Sequence, residues 1–173
     1  MSDKTLAMRL LEGKGIAYAA RHYDASVRDA EQVAALLDES ADRVYKSLVV
    51  LRPPAKPVLA LVAADQRVDL KKLAKALGEK KVKMAKHKEA ESLTGLEVGG
   101  ITPLALINRG FSFVIDVAAK EHERIILSAG ERGKQVEVAV EDLVRVTGAS
   151  FASVSAATDD VDNKPDDPGQ HHY

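Results

Sequence analysis

The segment VYKSLVVL, residues 44–51, has the composition of a strand that is covered on both faces. Hydrophobic side chains occupy six of its eight positions, which is typical of buried strands. A second apolar run, Val58–Ala63, follows after Pro53, Pro54 and Pro57 break the first. The two runs therefore predict a β-hairpin.

Lys46 is out of place in this segment. Side chains alternate along a strand, so Lys46 shares a face with Val44, Leu48 and Val50. If that face points inward, the ammonium group needs an anionic partner or a lowered pKa. A pocket that receives an anionic or carbonyl-bearing ligand would explain the placement. The alternative is an edge-strand lysine whose stem reaches water.

Helical and strand-like patterns alternate irregularly around the hairpin, and this order predicts an α+β fold. Helices are predicted at Leu6–Leu11, Asp29–Leu37, Asp69–Leu77, Met84–Leu93 and Glu141–Val146. Further strands are predicted at Ile16–Asp24, Ser112–Val117, Arg124–Leu127 and Gln135–Val140. Asp69 is expected to cap the third helix and Gly78 to end it.

The composition excludes several classes of protein. The chain has 173 residues, 46% hydrophobic, and is long enough to bury a core. It contains no cysteine, which excludes disulfides, thiolate zinc sites and a catalytic cysteine. No apolar run approaches the roughly 18 residues of a membrane span, and the N-terminus lacks a signal-peptide core. A soluble cytoplasmic protein without a membrane partner is expected.

The charge is distributed unevenly along the chain. Residues 158–173 contain five Asp and one Lys, so they carry −4, whereas residues 1–157 carry +3 and the whole chain −1. This acidic tail has Val161 as its only aliphatic residue. A folded domain at 1–157 and a disordered tail at 158–173 are therefore predicted.

Two glycine-containing loops are candidate binding elements. The segment TGLEVGGITP, residues 94–103, places Gly99-Gly100 where main-chain N–H groups could hold a carbonyl or phosphate oxygen. The segment SAGERGK, residues 128–134, lacks the spacing of a phosphate loop. Plain turns are the alternative for both, although Ser128 could point into a pocket.

The stretch 69–88 holds eight lysines against Asp69 and Glu79, a charge of about +6 with His87 neutral. Such density suits contacts to a phosphate backbone. A solvated helix face is the alternative interpretation. The residues expected to contact nucleic-acid phosphates are Lys71, Lys72, Lys80, Lys81 and Lys83.

Standard catalytic signatures are missing from the sequence. There is no H-E-x-x-H, no G-x-S-x-G and no dinucleotide-binding glycine pattern. The histidines at positions 22, 87 and 122 are isolated, so no metal site is predicted.

Four blocks together nevertheless resemble one family. They are VYKSL at 44–48, DLKKLA at 69–74, TG with VGGITPL at 94–104, and SAG with RG at 128–133. In this order and spacing they are similar to the YbaK family of bacterial Cys-tRNA(Pro) deacylases, which is related to the editing domain of prolyl-tRNA synthetases. The resemblance covers about residues 4–155 and implies a compact single α+β domain with a mixed, barrel-like sheet flanked by helices.

The resemblance also implies a mechanism and a set of residues. YbaK-like members use no metal, no cofactor and no dedicated protein base; the thiol of the substrate cysteine attacks its own ester and a thiolactone leaves. Aminoacyl-tRNA(Pro) is the implied substrate and prolyl-tRNA synthetase a transient partner. The implied catalytic positions are Lys46 and Gly100, and the implied substrate-binding positions are Tyr23, Ser47, Gly99, Ile101, Thr102, Ser128 and Gln135.

Two positions depart from the family pattern. Gln135 stands where close relatives carry Asp, and Thr102-Pro103-Leu104-Ala105 replaces Ser-Pro-Leu-Gly. These differences leave open which amino acid is removed: Cys is the leading candidate, and Ala or Ser the others. A non-catalytic tRNA- or synthetase-binding protein is the alternative function.

Overall fold

The computed structural model describes residues 4–27 and 29–158. Its helices are α1 (Leu6–Gly13), α2 (Ala30–Leu36), α3 (Leu70–Leu77), α4 (His87–Thr94) and α5 (Val140–Thr147). Its strands are β1 (Tyr18–His22), β2 (Tyr45–Arg52), β3 (Ala55–Ala63), β4 (Gln66–Val68), β5 (Lys83–Met84), β6 (Ser112–Asp116), β7 (Arg124–Ser128), β8 (Lys134–Ala139), β9 (Ser150–Ala152) and β10 (Ser155–Ala157). Two 3₁₀ turns span Pro103–Ala105 and Val117–Glu121.

The strands form a mixed set of sheets. A five-stranded sheet has the order β5-β2-β3-β6-β9, in which β2 and β3 form the predicted antiparallel hairpin while β6 runs parallel to β3 and β9. A second, antiparallel sheet has the order β1-β8-β7, and β4 pairs with β10. The α+β prediction is confirmed, but within the described residues the sheets stay open and do not close into a barrel.

The two larger sheets meet at the start of β2. Val44 forms a parallel bridge with Ile126 of β7, and the main-chain N–H of Ile126 donates to the carbonyl of Arg43 at 2.9 Å. On its other side β2 pairs with β3, where Lys46 lies opposite Val62. The beginning of β2 is therefore flanked by strands on both sides, and the edge-strand interpretation of Lys46 is wrong.

The predicted caps of α3 are present. Asp69 Oδ1 accepts the main-chain N–H of Lys72 at 3.0 Å, and Gly78 ends the helix with a φ of +70°. The predicted helix at Met84–Leu93 starts later, at His87. Met84 lies instead in β5 opposite Val50, because the main chain there pairs with β2 before the helix begins.

Other boundaries also differ from the prediction. Pro57 does not precede the second strand but lies inside β3, next to a register shift between Val50 and Arg52 where a missing N–H is tolerated. Helical spacing predicts that Val33, Leu36 and Leu37 lie on one side of α2; Val33 and Leu37 are buried, whereas Leu36 is 56% exposed. Strands β4, β9 and β10 have three residues each, too few to give a recognisable pattern.

The core is one large cluster built around the hairpin, with Leu48, Val49 and Leu59 fully buried. A smaller cluster beneath α2 contains Val33 and Ile126. No helix within residues 4–27 and 29–158 has both the length and the apolar character needed to cross a membrane. The tail predicted at 158–173 lies, apart from Thr158, outside the described residues.

Candidate functional site

A small cavity lies at the junction of the two sheets, at the start of β2. Its walls come from the segment after β1, from α2, from β2, from the glycine loop at 94–103 and from the facing ends of β7 and β8. The free volume is about 10 Å³, close to the least that holds one water molecule. The lining residues are Tyr23, Ala30, Val33, Val44, Tyr45, Lys46, Ser47, Gly99, Ile101, Ser128 and Gln135.

Lys46 is the charged group of this cavity, and its side chain is almost fully enclosed, with 3% of the residue exposed. Burial lowers the pKa of Lys46 to about 8, while the negative charges of Asp29 and Glu31 act in the opposite direction. The side chain is thus mainly an ammonium ion at neutral pH and loses its proton in mildly alkaline solution.

Unpartnered polar atoms cluster in the same place. Of the five buried side-chain atoms in the described residues that have no hydrogen-bond partner, three belong to lining residues (Ser47 Oγ, Gln135 Oε1 and Tyr45 OH), and the other two are Arg67 Nε and Arg124 Nε. Such atoms are uncommon in folded proteins because each costs desolvation free energy. Burial, with the charge of Asp116 next in size, raises the pKa of the Tyr45 phenol, which stays neutral. These unpartnered atoms indicate a site that is completed by a ligand.

The glycine loop turns tightly beside the cavity. The N–H of Gly100 donates to the carbonyl of Glu97 at 2.8 Å, and Gly99 has a φ of +93°, which favours glycine. Gly99 and Ile101 line the cavity, but Gly100 lies behind them with its N–H engaged. Thr102 is also outside the lining; its Oγ1 accepts the N–H of Leu104 at 3.3 Å and caps a 3₁₀ turn.

The second loop holds the opposite wall. Ser128 Oγ accepts the N–H of Gly130 at 3.1 Å, which orients the serine at the end of β7. The N–H of Tyr23 donates to the carbonyl of Gly133 at 3.0 Å. A Cβ on Gly133 would come within 3.0 Å of the Tyr23 carbonyl oxygen, so glycine permits this close approach. The loop thereby places both Ser128 and Tyr23 at the cavity.

The sequence profile of the aminoacyl-tRNA editing domain family matches residues 24–146, which run from just before α2 to near the end of α5 and include every lining residue of the cavity except Tyr23. The chain belongs to this family. The YbaK-type resemblance of the four sequence blocks is thereby confirmed, and with it aminoacyl-tRNA editing by deacylation as the general activity.

Individual relatives of this editing domain carry more specific names. EbsC of Enterococcus faecalis, a candidate Cys-tRNA(Pro)/Cys-tRNA(Cys) deacylase, is 37% identical over 157 residues, covering 88% of this chain and 94% of the relative. ProXp-y of Escherichia coli, named a multifunctional Ser/Thr-tRNA deacylase, is 30% identical over 89 residues, covering 51% of this chain and 53% of the relative.

A solved structure has the same fold. The candidate trans-editing enzyme for prolyl-tRNA synthetase superposes on this editing domain with a TM-score of 0.75, at 23% identity, over 88% of this chain and 99% of that one.

The predicted phosphate-contacting lysines of the editing domain lie away from the cavity. All five are exposed, and none lines the cavity; Lys83 lies on β5, which pairs with the far half of β2 at Val50 and Leu51. Lys72 Nζ donates to the carbonyl of Ser155 at 3.1 Å. We refer to Lys71, Lys72, Lys80, Lys81 and Lys83 as the lysine surface.

Sequence reasoning missed several walls of the cavity. Ala30 and Val33 of α2 line it, and helical spacing indicated only that Val33 is buried. Tyr45 lines it too, although it shares its strand face with Ser47, opposite Lys46, and no sequence motif singled it out. No group of three or more His, Asp or Glu side chains in the described residues has an arrangement suited to a metal ion.

Proposed function

We propose that this protein removes a mischarged amino acid from tRNA(Pro), acting in trans in the cytoplasm, and that cysteine is its principal substrate. The single observation that carries the proposal is the enclosed Lys46 beside the unpartnered Ser47 Oγ and Gln135 Oε1. The name of the Enterococcus faecalis relative supports cysteine, and that of the Escherichia coli relative supports serine as the second candidate.

Each polar group of the cavity recognises a different part of the aminoacyl ester. The Lys46 ammonium stabilises negative charge that develops on the ester oxygens when the carbonyl is attacked. Gln135 Oε1 accepts a hydrogen bond from the α-ammonium group, and Ser47 Oγ forms a hydrogen bond with the ester or with the substrate side chain. Each of these hydrogen bonds gives a partner to a buried atom that has none in the free protein.

The glycine loop supplies main-chain donors. Among the described residues, the N–H groups of Gly99 and Ile101 enter no hydrogen bond, unlike that of Gly100. Gly99 and Ile101 are therefore the donors for the carbonyl oxygen. Gly100 supports them from behind, since a Cβ there would lie 3.2 Å from the Gly130 oxygen.

No separate protein nucleophile is needed when cysteine is the substrate. The thiol sulfur forms a bond to the ester carbonyl carbon, the bond to the ribose oxygen breaks, and the thiol proton goes to that oxygen. The products are free tRNA and a cysteine thiolactone. Holding the two groups at the geometry of attack lowers the barrier, and Lys46 stabilises the charge. Serine or alanine would require attack by water.

The decisive experiment measures deacylation of Cys-, Ala-, Ser- and Pro-tRNA(Pro) by the full chain, with Lys46→Ala and Arg145→Ala as the site and surface variants. Loss of the Cys ester that needs Lys46 and releases thiolactone supports the proposal. Loss of Ser or Ala alone changes the substrate and requires water as nucleophile. Binding of tRNA without deacylation of any ester would make the protein a non-catalytic tRNA-binding module.

Selectivity for tRNA(Pro) is proposed to come from a transient complex with prolyl-tRNA synthetase, while the lysine surface contributes affinity for phosphates. Cross-linking of the purified proteins with tRNA(Pro) tests this. Absence of any cross-link, together with equal activity on a Cys ester of another tRNA, would remove the synthetase from the proposal.

A further inference from the structure

A second, wider depression lies on the other side of the glycine loops. It is lined by Ala25, Ser26, Gly95–Glu97 and Gly130–Arg132, and its volume is about 630 Å³. That is within the range of about 300–1,000 Å³ of small-molecule sites. We call it the loop groove. None of its residues is among the predicted site positions, although all except Ala25 and Ser26 belong to the two candidate binding loops.

The loop groove and the Lys46 cavity are separated only by the two loops. A Cβ on Gly99 would lie 2.9 Å from Arg132 Cγ, and one on Gly100 would lie 3.2 Å from the main-chain N of Arg132. Gly99 lines the cavity and Arg132 lines the groove, so these two residues in direct contact form the wall between the two spaces. A single ligand made of an acyl group and a nucleotide can therefore extend from one space into the other.

Charge in the loop groove is arranged around Arg132. Its Nε and Nη2 both donate to Glu97 Oε2, at 3.0 and 2.7 Å, and the Arg132 side chain is 25% exposed against 69% for Glu97. The other carboxylate, Glu131, pairs with Lys134 at 3.5 Å. A partly exposed ion pair contributes little to stability, so an incoming anion can replace the carboxylate.

Arg109 adds a second positive charge beside the groove. Its Nη2 lies 3.9 Å from the position of a Cβ on Gly95, and among the described residues it forms no ion pair. Arg132 thus lines the groove and Arg109 lies next to its wall at Gly95, and guanidinium matches the geometry of a phosphate.

We propose that the loop groove holds the 3′-terminal nucleotide of the aminoacyl-tRNA, and that Arg132 exchanges Glu97 for the phosphate of that nucleotide. The inference rests on the proposed function. The Lys46 cavity is the proposed place of the acyl group, the groove has room for a nucleotide, and the ester bond joins the two across the glycine loops. Glu97 occupies the position of the phosphate in the free protein and is displaced on binding.

The exchange predicts opposite signs for two substitutions that break the same ion pair. Binding of the unacylated trinucleotide CCA is measured by calorimetry for the full chain and its variants. Arg132→Ala should weaken binding about tenfold because a charge-assisted bond is lost. Glu97→Gln should strengthen it about threefold because the competing carboxylate is neutralised.

Arg145→Ala is the matched control, because Arg145 forms an exposed pair with Asp142 at 2.8 Å outside the groove. Its affinity for CCA should equal that of the original chain. Thermal unfolding of each variant accompanies the titrations, and Arg132→Lys replaces Arg132→Ala if the latter does not fold. Weaker binding for both Arg132→Ala and Glu97→Gln, equal affinity for all variants, or no binding of CCA would each overturn the proposal.

This measurement does not depend on deacylation, because the probe carries no amino acid. If the two substitutions change CCA affinity in opposite directions but no ester is cleaved, the groove is supported and the proposed enzyme activity is rejected. If turnover depends on Lys46 but the two substitutions do not change CCA affinity in opposite directions, the enzyme activity is supported and the groove is rejected.

Discussion

Lys46 and the lysine surface present the same side chain in opposite settings. Lys46 is 3% exposed, flanked by strands, and its pKa is lowered to about 8 by burial. The lysines of the lysine surface are exposed on α3, β5 and the intervening loop. A buried charge acts through low-dielectric electrostatics at short range, whereas exposed charges attract phosphates in a salt-dependent way.

This contrast separates two roles that one positive charge can have in tRNA editing. Changes to Lys46 should affect the chemical step and leave tRNA affinity nearly intact. Changes to the lysine surface should affect affinity and leave the chemical step nearly intact.

The largest effect is expected for Lys46→Met, a substitution that keeps volume and removes charge. Deacylation should fall about 10²–10³-fold, the cost of losing one stabilising group for developing charge. The free energy of unfolding at pH 7 should rise by roughly 1–3 kcal/mol because burial of the ammonium is relieved. Single-turnover kinetics and urea unfolding measure the two quantities. Equal losses of activity and stability would show that Lys46 is only structural.

The second prediction concerns pH. If Lys46 acts as an ammonium ion, enzyme-catalysed deacylation, corrected for spontaneous hydrolysis, should fall about tenfold per pH unit above its pKa of about 8. A pH–rate profile between about pH 6 and 10 tests this. A rate that increases through this region in the original chain, but not in Lys46→Met, would mean that the neutral amine acts as a base.

The same titration affects stability. The pKa of Lys46 is lower in the folded chain than its ordinary value of 10.5, so between about pH 8 and 10.5 the unfolded chain binds more protons. The contribution of Lys46 to the free energy of unfolding therefore increases with pH across this window. In Lys46→Met that increase should be missing, which a series of urea titrations would show.

The lysine surface is tested by replacing Lys80, Lys81 and Lys83 together with alanine. The dissociation constant for tRNA should rise about tenfold, and the slope of its logarithm against salt should flatten by about 2–3. The turnover of a short acylated CCA substrate should be unchanged, because these side chains lie off the cavity. An unchanged salt slope would mean that the lysine surface is only a solvated face of the protein.

The smallest effect is expected for Ser47→Ala. Ser47 Oγ is buried and has no partner among the described residues, so its removal should leave the free energy of unfolding equal or slightly higher. Deacylation should fall about fivefold to tenfold because one hydrogen bond to the substrate is lost. A clear loss of stability with unchanged kinetics would place Ser47 in the scaffold and remove it from the site.

Local patterns predicted the elements that depend on neighbouring residues. The hairpin of β2 and β3 followed from two apolar runs, and the ends of α3 followed from Asp69 and Gly78. The boundary of α4 was predicted too early because Met84 pairs with β2, a contact that no local pattern carries.

The candidate site followed mainly from family motifs, and the structure rearranged its details. Tyr23, Ser47, Ser128 and Gln135 line the cavity with Lys46 as implied, whereas the structure places Gly100 behind the loop. The turn hydrogen bond of Gly100 depends on how the chain folds back from Glu97, and sequence spacing does not specify it.

The amino-acid sequence by itself determined the strand character of residues 44–51, the parity that sets Lys46 among aliphatic side chains, and the family. Only the tertiary structure decided that β7 covers the start of β2 and encloses Lys46. It also decided that Gln135, distant in sequence, joins Ser47 at the same cavity. Propensity and periodicity act over a few residues, whereas enclosure of a charge depends on which distant strands pair.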